Sequence, residues 1–429
     1  MNGTPDRDAL TRMDATDPLA NLRNEFHIPP RADGSPSVYF CGHSLGLQPK
    51  RTATILNEEL ATWAKHGVEG HFEPRRPWLS YHEQLTGGLA RLTGALPSEV
   101  VAMNSLTVNL HLMLTSFYRP TKERSRIVIE RSAFPSDRYA VASQIAQRGF
   151  DPAACLVQLG PRPDEVLIRT DDVCEFLERE GSTIATVMFP GVQYLSGQWF
   201  DMKQIVSCAH AQGIVVGFDL AHAVGNVPLA LHDSNADFAV WCSYKYLNSG
   251  PGAIGGCFVH ERHARAFDLP RFAGWWGHDK SSRFEMPEAF RPLPGAEGWQ
   301  LSNPSIFSAA PLLASLELFD RAGMDALRKK ALALTGCLST LLQERLRDRV
   351  SILTPADPAQ RGCQLSLRLH RPPAAARAVH TALTTANFTC DWREPDVIRV
   401  APVPLYNTFS EVGAFVEALA RALNSDGRS

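Results

Sequence analysis

The run Gly-Ile-Val-Val-Gly-Phe-Asp-Leu-Ala-His-Ala-Val-Gly at 213–225 decides the reading of the fold. A short apolar β-branched strand runs into Asp219, so a carboxylate stands at the strand's carboxyl end, where open α/β sheets bind their ligands. Alone, an aspartate closing a strand is most often a turn or cap residue. The next strand changes that reading. The run Asp-Phe-Ala-Val-Trp-Cys-Ser-Tyr-Lys-Tyr-Leu-Asn-Ser-Gly-Pro-Gly at 237–252 carries a second apolar stretch straight into Lys245 and a glycine-rich turn. One strand ends in an acid and the next in an amine that burial partly strips of water.

Outward from this pair, apolar β-branched runs at Ser125–Glu130, Ile184–Phe189, Ile214–Asp219, Phe238–Cys242 and Ala253–His260 alternate with helical patterns. Such alternation predicts a mostly parallel sheet covered by helices on both faces. Beyond Pro311, helical stretches at Leu312–Ala322 and Met324–Arg347 lead to strands at Gln364–Leu369 and Val397–Ala401 and a helix at Ser410–Leu423, the pattern of a smaller α+β unit. The expected division is an N-terminal arm (1–45) packing on the small domain, a large domain (46–310) and a small C-terminal domain (311–429). Residues 1 to about 15 and 425–429 are expected to fray. Gly- and Pro-rich segments at 248–256, 274–277 and 292–304 read as site loops.

Composition excludes several classes. The 43 Lys and Arg nearly balance 45 Asp and Glu, leaving no field to hold nucleic acid or an anionic membrane. The polar stretch Met1–Ala20 has no basic region followed by an apolar one, so no cleaved secretory signal is expected, and no apolar run approaches the ~20 residues that span a bilayer. Nine widely spaced cysteines without a C-x-x-C pair read as reduced thiols of a cytoplasmic protein, with no metal site. A small-molecule ligand is the expectation.

An amine to hold an aldehyde and a carboxylate to keep a ring nitrogen protonated are the two groups that pyridoxal 5′-phosphate (PLP) chemistry asks of a protein. A phosphate site is available at Met-Asn-Ser-Leu-Thr-Val-Asn-Leu-His-Leu-Met-Leu (103–114), where Ser105 reads as the N-cap of a helix whose first turn, with Thr107, offers donors to an anion. By itself that segment is a capped core helix.

The two quoted runs, with Gly-Trp-Trp-Gly-His (274–278), Leu-Ser-Asn-Pro (301–304) and Arg-Val-Ala-Pro-Val-Pro-Leu-Tyr-Asn (399–407), closely resemble the kynureninase family. Ser-Leu-Gly (44–46), Arg-Pro-Trp (76–78), Asn-Leu-His-Leu (109–112) and Ala-Phe-Pro-Ser-Asp (133–137) extend the resemblance over roughly residues 38 to 420. It implies a fold-type I PLP enzyme of the class V aminotransferase superfamily that hydrolyses L-kynurenine, and its 3-hydroxy form, to anthranilate or 3-hydroxyanthranilate and L-alanine. It implies that Leu106 and Thr107 hold the phosphate, that Phe134 stacks on the pyridine ring and that Pro135, Ser136 and Asp137 border the cofactor. Asp219 then pairs with the ring nitrogen beside His222, and Lys245 binds the aldehyde. Tyr244, acidified by nearby cations, is the implied proton donor. Trp275 and Asn303 are implied to reach in from the second subunit of a homodimer with shared sites. Ser44 and His71 face the aromatic end of the substrate, and Arg399 clamps its α-carboxylate.

Two positions depart from the family pattern: His43, where asparagine is usual, and Pro190, where a small hydroxyl residue is common. The rival enzyme is a cysteine desulfurase or selenocysteine lyase of the same fold type. It would need a reactive cysteine on a mobile loop, and Cys390 lacks the expected Gly-His-Cys setting. A non-catalytic scaffold derived from the fold is disfavoured by the presence of both Lys245 and Asp219.

Overall fold

A computed structural model describes residues 6–31 and 33–425. Seven strands form the main sheet: Val100–Ala102 (β1), Arg126–Glu130 (β2), Leu156–Leu159 (β3), Ile184–Pro190 (β4), Val215–Asp219 (β5), Phe238–Cys242 (β6) and Gly255–Val259 (β7). Their order is β1-β7-β6-β5-β4-β2-β3, and only β7 runs antiparallel to its neighbours. This is the mostly parallel α/β sheet the sequence predicts. Strands β4 and β6 are buried along their whole length, as a sheet covered on both faces requires. Gly217 explains one spacing in the opening motif: a Cβ there would lie 2.0 Å from the Phe238 ring of the next strand.

β1 and β3 are not marked by the apolar runs of the sequence. Both are sheet edges of three or four residues, and β3 is only partly buried, so neither carries a long hydrophobic signal.

A second, antiparallel sheet contains Val350–Ile352 (β8), Leu365–Leu369 (β9), Asp391–Arg393 (β10) and Val397–Val400 (β11), in the order β10-β11-β9-β8. Its core is closed by Leu334, Leu338, Leu341, Val412, Phe415 and Leu419 from the helices Met324–Leu346 and Phe409–Ser425. Helix Ile306–Ala322 begins earlier than the sequence indicates and runs through Pro311. Its apolar face (Leu312, Leu316, Phe319) is buried with the large sheet's core, so the sequence boundary at 310 falls inside an element of that core.

Two expectations are corrected. Arg7–Ala15 is a helix rather than a frayed end: Leu10 is buried in the second core, and the Asp14 carboxylate accepts from Phe409 N (2.6 Å) and Ser410 N (3.0 Å), capping the last helix. Of the other residues expected to fray, 1–5 and 426–429 lie outside the described residues. The cysteines are not all free thiols: helices Thr170–Glu180 and Met202–Ala211 pack side by side, bringing Cys174 and Cys208 to 5.5 Å between Cα atoms as a disulfide.

Candidate active site

The carboxyl ends of β2, β4, β5 and β6 converge on a cavity of about 170 Å³, lined among others by Thr107, Glu130, Phe134, Asp137, Asp219 and Lys245. A larger cleft of about 1000 Å³, beside Trp199 and Asp233, holds none of the residues singled out from the sequence.

Lys245 follows β6 by three residues, and its Nζ lies 3.1 Å from His222 Nε2 and 5.8 Å from the centre of the Phe134 ring. His222 is enclosed, and burial together with Lys245 holds its pKa well below the usual histidine range, so the ring is neutral and accepts from the lysine. Asp219 closes β5, where its Oδ1 accepts from Ala221 N at 2.7 Å. Asp137 lies in the first turn of helix Pro135–Gln147, where burial and the neighbouring Asp219 push its carboxyl well above the usual carboxylate range. Glu130 ends β2 just as Asp219 ends β5, and burial pushes its carboxyl up to about 8. The sequence reading missed Glu130, although a strand-end acid was the signal used for Asp219.

At the other end of the cavity, helix Leu106–Phe117 starts with Ser105 in the N-cap position but with no side-chain cap bond, correcting the hydroxyl cap expected there. Its first residues, Leu106 and Thr107, line the cavity, and the Thr107 hydroxyl is hydrogen-bonded to Ser136 Oγ at 2.8 Å. Phe134 is half-exposed at the mouth, edge-on to Tyr194, with Pro135 opening the helix behind it. Pro190 lines the wall, paired with Asp219 across β4 and β5.

Tyr244 requires a correction. It borders the cavity, but burial and the Cys242 thiol beside it push its hydroxyl up rather than acidify it, and Lys245 Nζ is 5.9 Å from the ring. The phenol is a neutral acid.

Arg399 is buried beside Tyr194, a wall of the cavity, and donates to Asp391 Oδ2 (2.7 Å), Tyr194 O (2.7 Å) and Ser44 Oγ (3.4 Å). His43 is fully buried near it, with neither ring nitrogen hydrogen-bonded among the described residues. His71, Trp275 and Asn303 are not brought to the cavity within the chain. His71 turns back to Val68 O (2.9 Å) and packs on Trp78; Trp275 Nε1 donates to Arg283 O (3.1 Å); Asn303 is exposed.

The donor set fits a planar, nitrogen-bearing ring with an anionic tail. A helix start and a hydroxyl pair sit at one end, an aromatic face at the mouth and a carboxylate at the far wall. Asp137 Oδ1 and His222 Nδ1 are buried without a partner among the described residues, so the pocket presents polar atoms that protein groups leave unsatisfied.

Comparison with known proteins places this arrangement in two steps. In fold, the chain is similar to a cysteine desulfurase from Escherichia coli (TM-score 0.76, 17% identity, 95% of this chain and 98% of the other). It is also similar to the lyase C-DES carrying glycine covalently linked to its PLP cofactor (TM-score 0.73, 17% identity, 90% and 96%). The sheet is therefore that of the fold-type I PLP enzymes. Residues 80–230 match the DegT/DnrJ/EryC1/StrS aminotransferase family and residues 327–419 the kynureninase C-terminal domain. Kynureninases of Koribacter versatilis and Myxococcus xanthus are each 57% identical, over 96% and 95% of both chains respectively, and that of Xanthomonas euvesicatoria is 55% identical over 94% of this chain and 95% of its own. The chain belongs to the kynureninase family.

Proposed function

We propose that this protein hydrolyses L-kynurenine, and its 3-hydroxy form, to anthranilate or 3-hydroxyanthranilate and L-alanine in kynurenine catabolism, with PLP held on Lys245. The observation that carries the reading is the single cavity that joins Lys245 to Asp219 and Asp137 in a chain of this family. When bound, the cofactor supplies an electron sink conjugated to the substrate's Cα.

The chain's own residues divide the remaining work. The N–H groups of Leu106 and Thr107, with the Ser136 hydroxyl, hold the phosphate, and Phe134 covers the ring. Asp219, fixed by Ala221 N, would pair with the ring nitrogen, and beside it burial and Asp219 hold the Asp137 carboxyl well above the usual carboxylate range. Lys245 Nζ, hydrogen-bonded to neutral His222, takes the Cα proton. One water adds to the γ-ketone, the Cβ–Cγ bond breaks, the water oxygen leaves in the carboxylate of anthranilate, and Cβ gains a proton to give alanine. Tyr244, a neutral phenol, holds the proton that Cβ receives. Arg399 takes the α-carboxylate with Ser44 beside it, while His71 and Asn303 meet the aromatic end.

The working unit is a cytoplasmic homodimer. Among the described residues no helix is long and apolar enough to cross a membrane. Trp275 (40%) packs edge-on to Phe284 (54%), Phe72 (61%) lies beside His71, and Trp63 (58%) is exposed as well; exposed apolar side chains of this kind favour an interface. The desulfurase reading is weakened by Cys390, a buried residue whose thiol burial pushes up, the reverse of a reactive thiolate.

The test is to give the PLP-loaded protein L-kynurenine and L-cysteine separately. Anthranilate fluorescence with stoichiometric alanine is expected from the first, and no sulfide from the second. Sulfide release without anthranilate would overturn the proposal.

A further inference from the structure

Arg399 does not stand alone. Asp391, on β10, accepts from Arg399 Nε at 2.7 Å and from Arg393 Nε at 2.8 Å, with Arg393 Nη2 at 3.3 Å, so one carboxylate bridges two guanidiniums. Strand register brings them together: Asp391 pairs with Arg399 across β10 and β11, and Arg393 is two residues further on the same face of β10. Both guanidiniums also lie against one aromatic ring, that of Tyr194, at 5.6 Å for Arg393 and 5.8 Å for Arg399. Tyr194 is itself a wall of the cavity and meets Phe134 edge-on.

Counting the groups that face this cluster gives its charge. Burial works against ionisation of Asp391, but hydrogen bonds from Arg399 and Arg393 hold its carboxyl below the usual range, so it is an anion. His43 is kept neutral by burial and by Arg399, and burial pushes the Cys41 thiol up to about 11. Two guanidiniums and one carboxylate leave one surplus positive charge. Arg399, with a side chain only 1% exposed, is compensated where desolvation is most costly, and the surplus belongs to Arg393, at 35%, nearer the water.

We propose that Arg393 is a second cation for the substrate's α-carboxylate, working with Arg399 through their shared Asp391 against Tyr194. The inference rests on the reading of Arg399 as the carboxylate clamp. Its bland rival is a strand-surface ion pair with an energetic role near zero.

Two probes separate these readings, both measured as competitive inhibitors of kynurenine turnover by the holoenzyme. L-Alanine keeps the α-carboxylate and lacks the aryl ring; kynuramine keeps the ring and lacks the carboxylate. Arg393→Gln should weaken alanine about tenfold, a change of about 1.4 kcal/mol, and leave kynuramine unchanged. It should also raise KM for kynurenine more than it lowers kcat. Arg393→Lys, which keeps the charge without the fork, should recover part of the alanine affinity and guards against a folding defect in the glutamine variant. Arg399→Gln is the control. If it separates the probes and Arg393→Gln does not, Arg393 is only a surface partner and the proposal fails. If Arg399→Gln does not separate them either, the carboxylate is not read at this end, and the site reading fails with it.

Discussion

The pocket around Lys245 and the surface around Trp275 are built in opposite ways. Within the pocket a lysine, three strand-end or helix-start acids, a helix terminus and an aromatic wall converge in about 170 Å³. On the surface, Trp275 stacks edge-on to Phe284 and Trp63 lies 6.1 Å from Phe307, yet Trp275 and Trp63 keep 40% and 58% of their area in water. One region is gathered into the chain's interior and the other is left exposed by it. The difference separates what the strand ends of one sheet assemble within a chain from what, under the proposed homodimer, a second subunit would complete.

The contrast breaks most sharply at Lys245. Lys245→Ala should remove the visible absorption of the bound cofactor and lower turnover by several orders of magnitude while leaving the fold intact, because no other lysine lines the cavity. Residual activity above ~1% would mean another amine does the work. The unfinished surface is probed by complementation. If sites are shared as proposed, Lys245→Ala chains mixed with Trp275→Ala, Asn303→Ala chains will form hybrids with one site carrying neither defect. About a quarter of wild-type activity is expected at equal mixing, since half the dimers are hybrids and half their sites are intact. Demonstrated subunit exchange without recovery, or a fully active monomer in sedimentation, would show that each chain closes its own site.

Much of the interior was legible because its signals are local. A strand ending in Asp219 and a strand ending in Lys245 announce themselves through apolar runs cut off by one charge, and the motif matches name their neighbours. Other features depend on tertiary placement. Arg7–Ala15 is a helix only because Leu10 and Asp14 find the last helix, far away in sequence. The edge strands β1 and β3 are too short for periodicity to show. Tyr244 precedes Lys245 directly, so a lowered pKa was the natural expectation; the enclosure that raises it is visible only in three dimensions. Asp391 and Arg393 look like ordinary alternation in a strand until register sets Arg399 opposite them. Glu130 is different: it ends its strand by the same rule that singled out Asp219, and applying that rule to every strand would have found it.

Glu130 also gives the smallest and most particular test of the finished region. It is almost fully buried, with Asp219, Asp137 and Lys245 lining the same cavity. Burial is the main cause of its elevated pKa, about 8 against an ordinary value of 4.5, and Asp219 adds to it. Between those values the folded chain holds a proton that the unfolded chain has lost, so the stability the group contributes is fully present below pH 4.5 and falls away as pH rises toward 8. Glutamine keeps the shape of the protonated acid and cannot ionise. Glu130→Gln should therefore melt with wild type at pH 4.5 and above it at pH 8, by about 2–4 °C for each kcal/mol regained. Turnover near neutral pH should change little, because the variant reproduces the neutral state the folded protein already adopts. A variant that melts below wild type at pH 8 would mean that Glu130 is an anion with a partner in the pocket. The interior would then carry more negative charge than one lysine balances, and the claim that this region is complete in a single chain would need a cation from elsewhere.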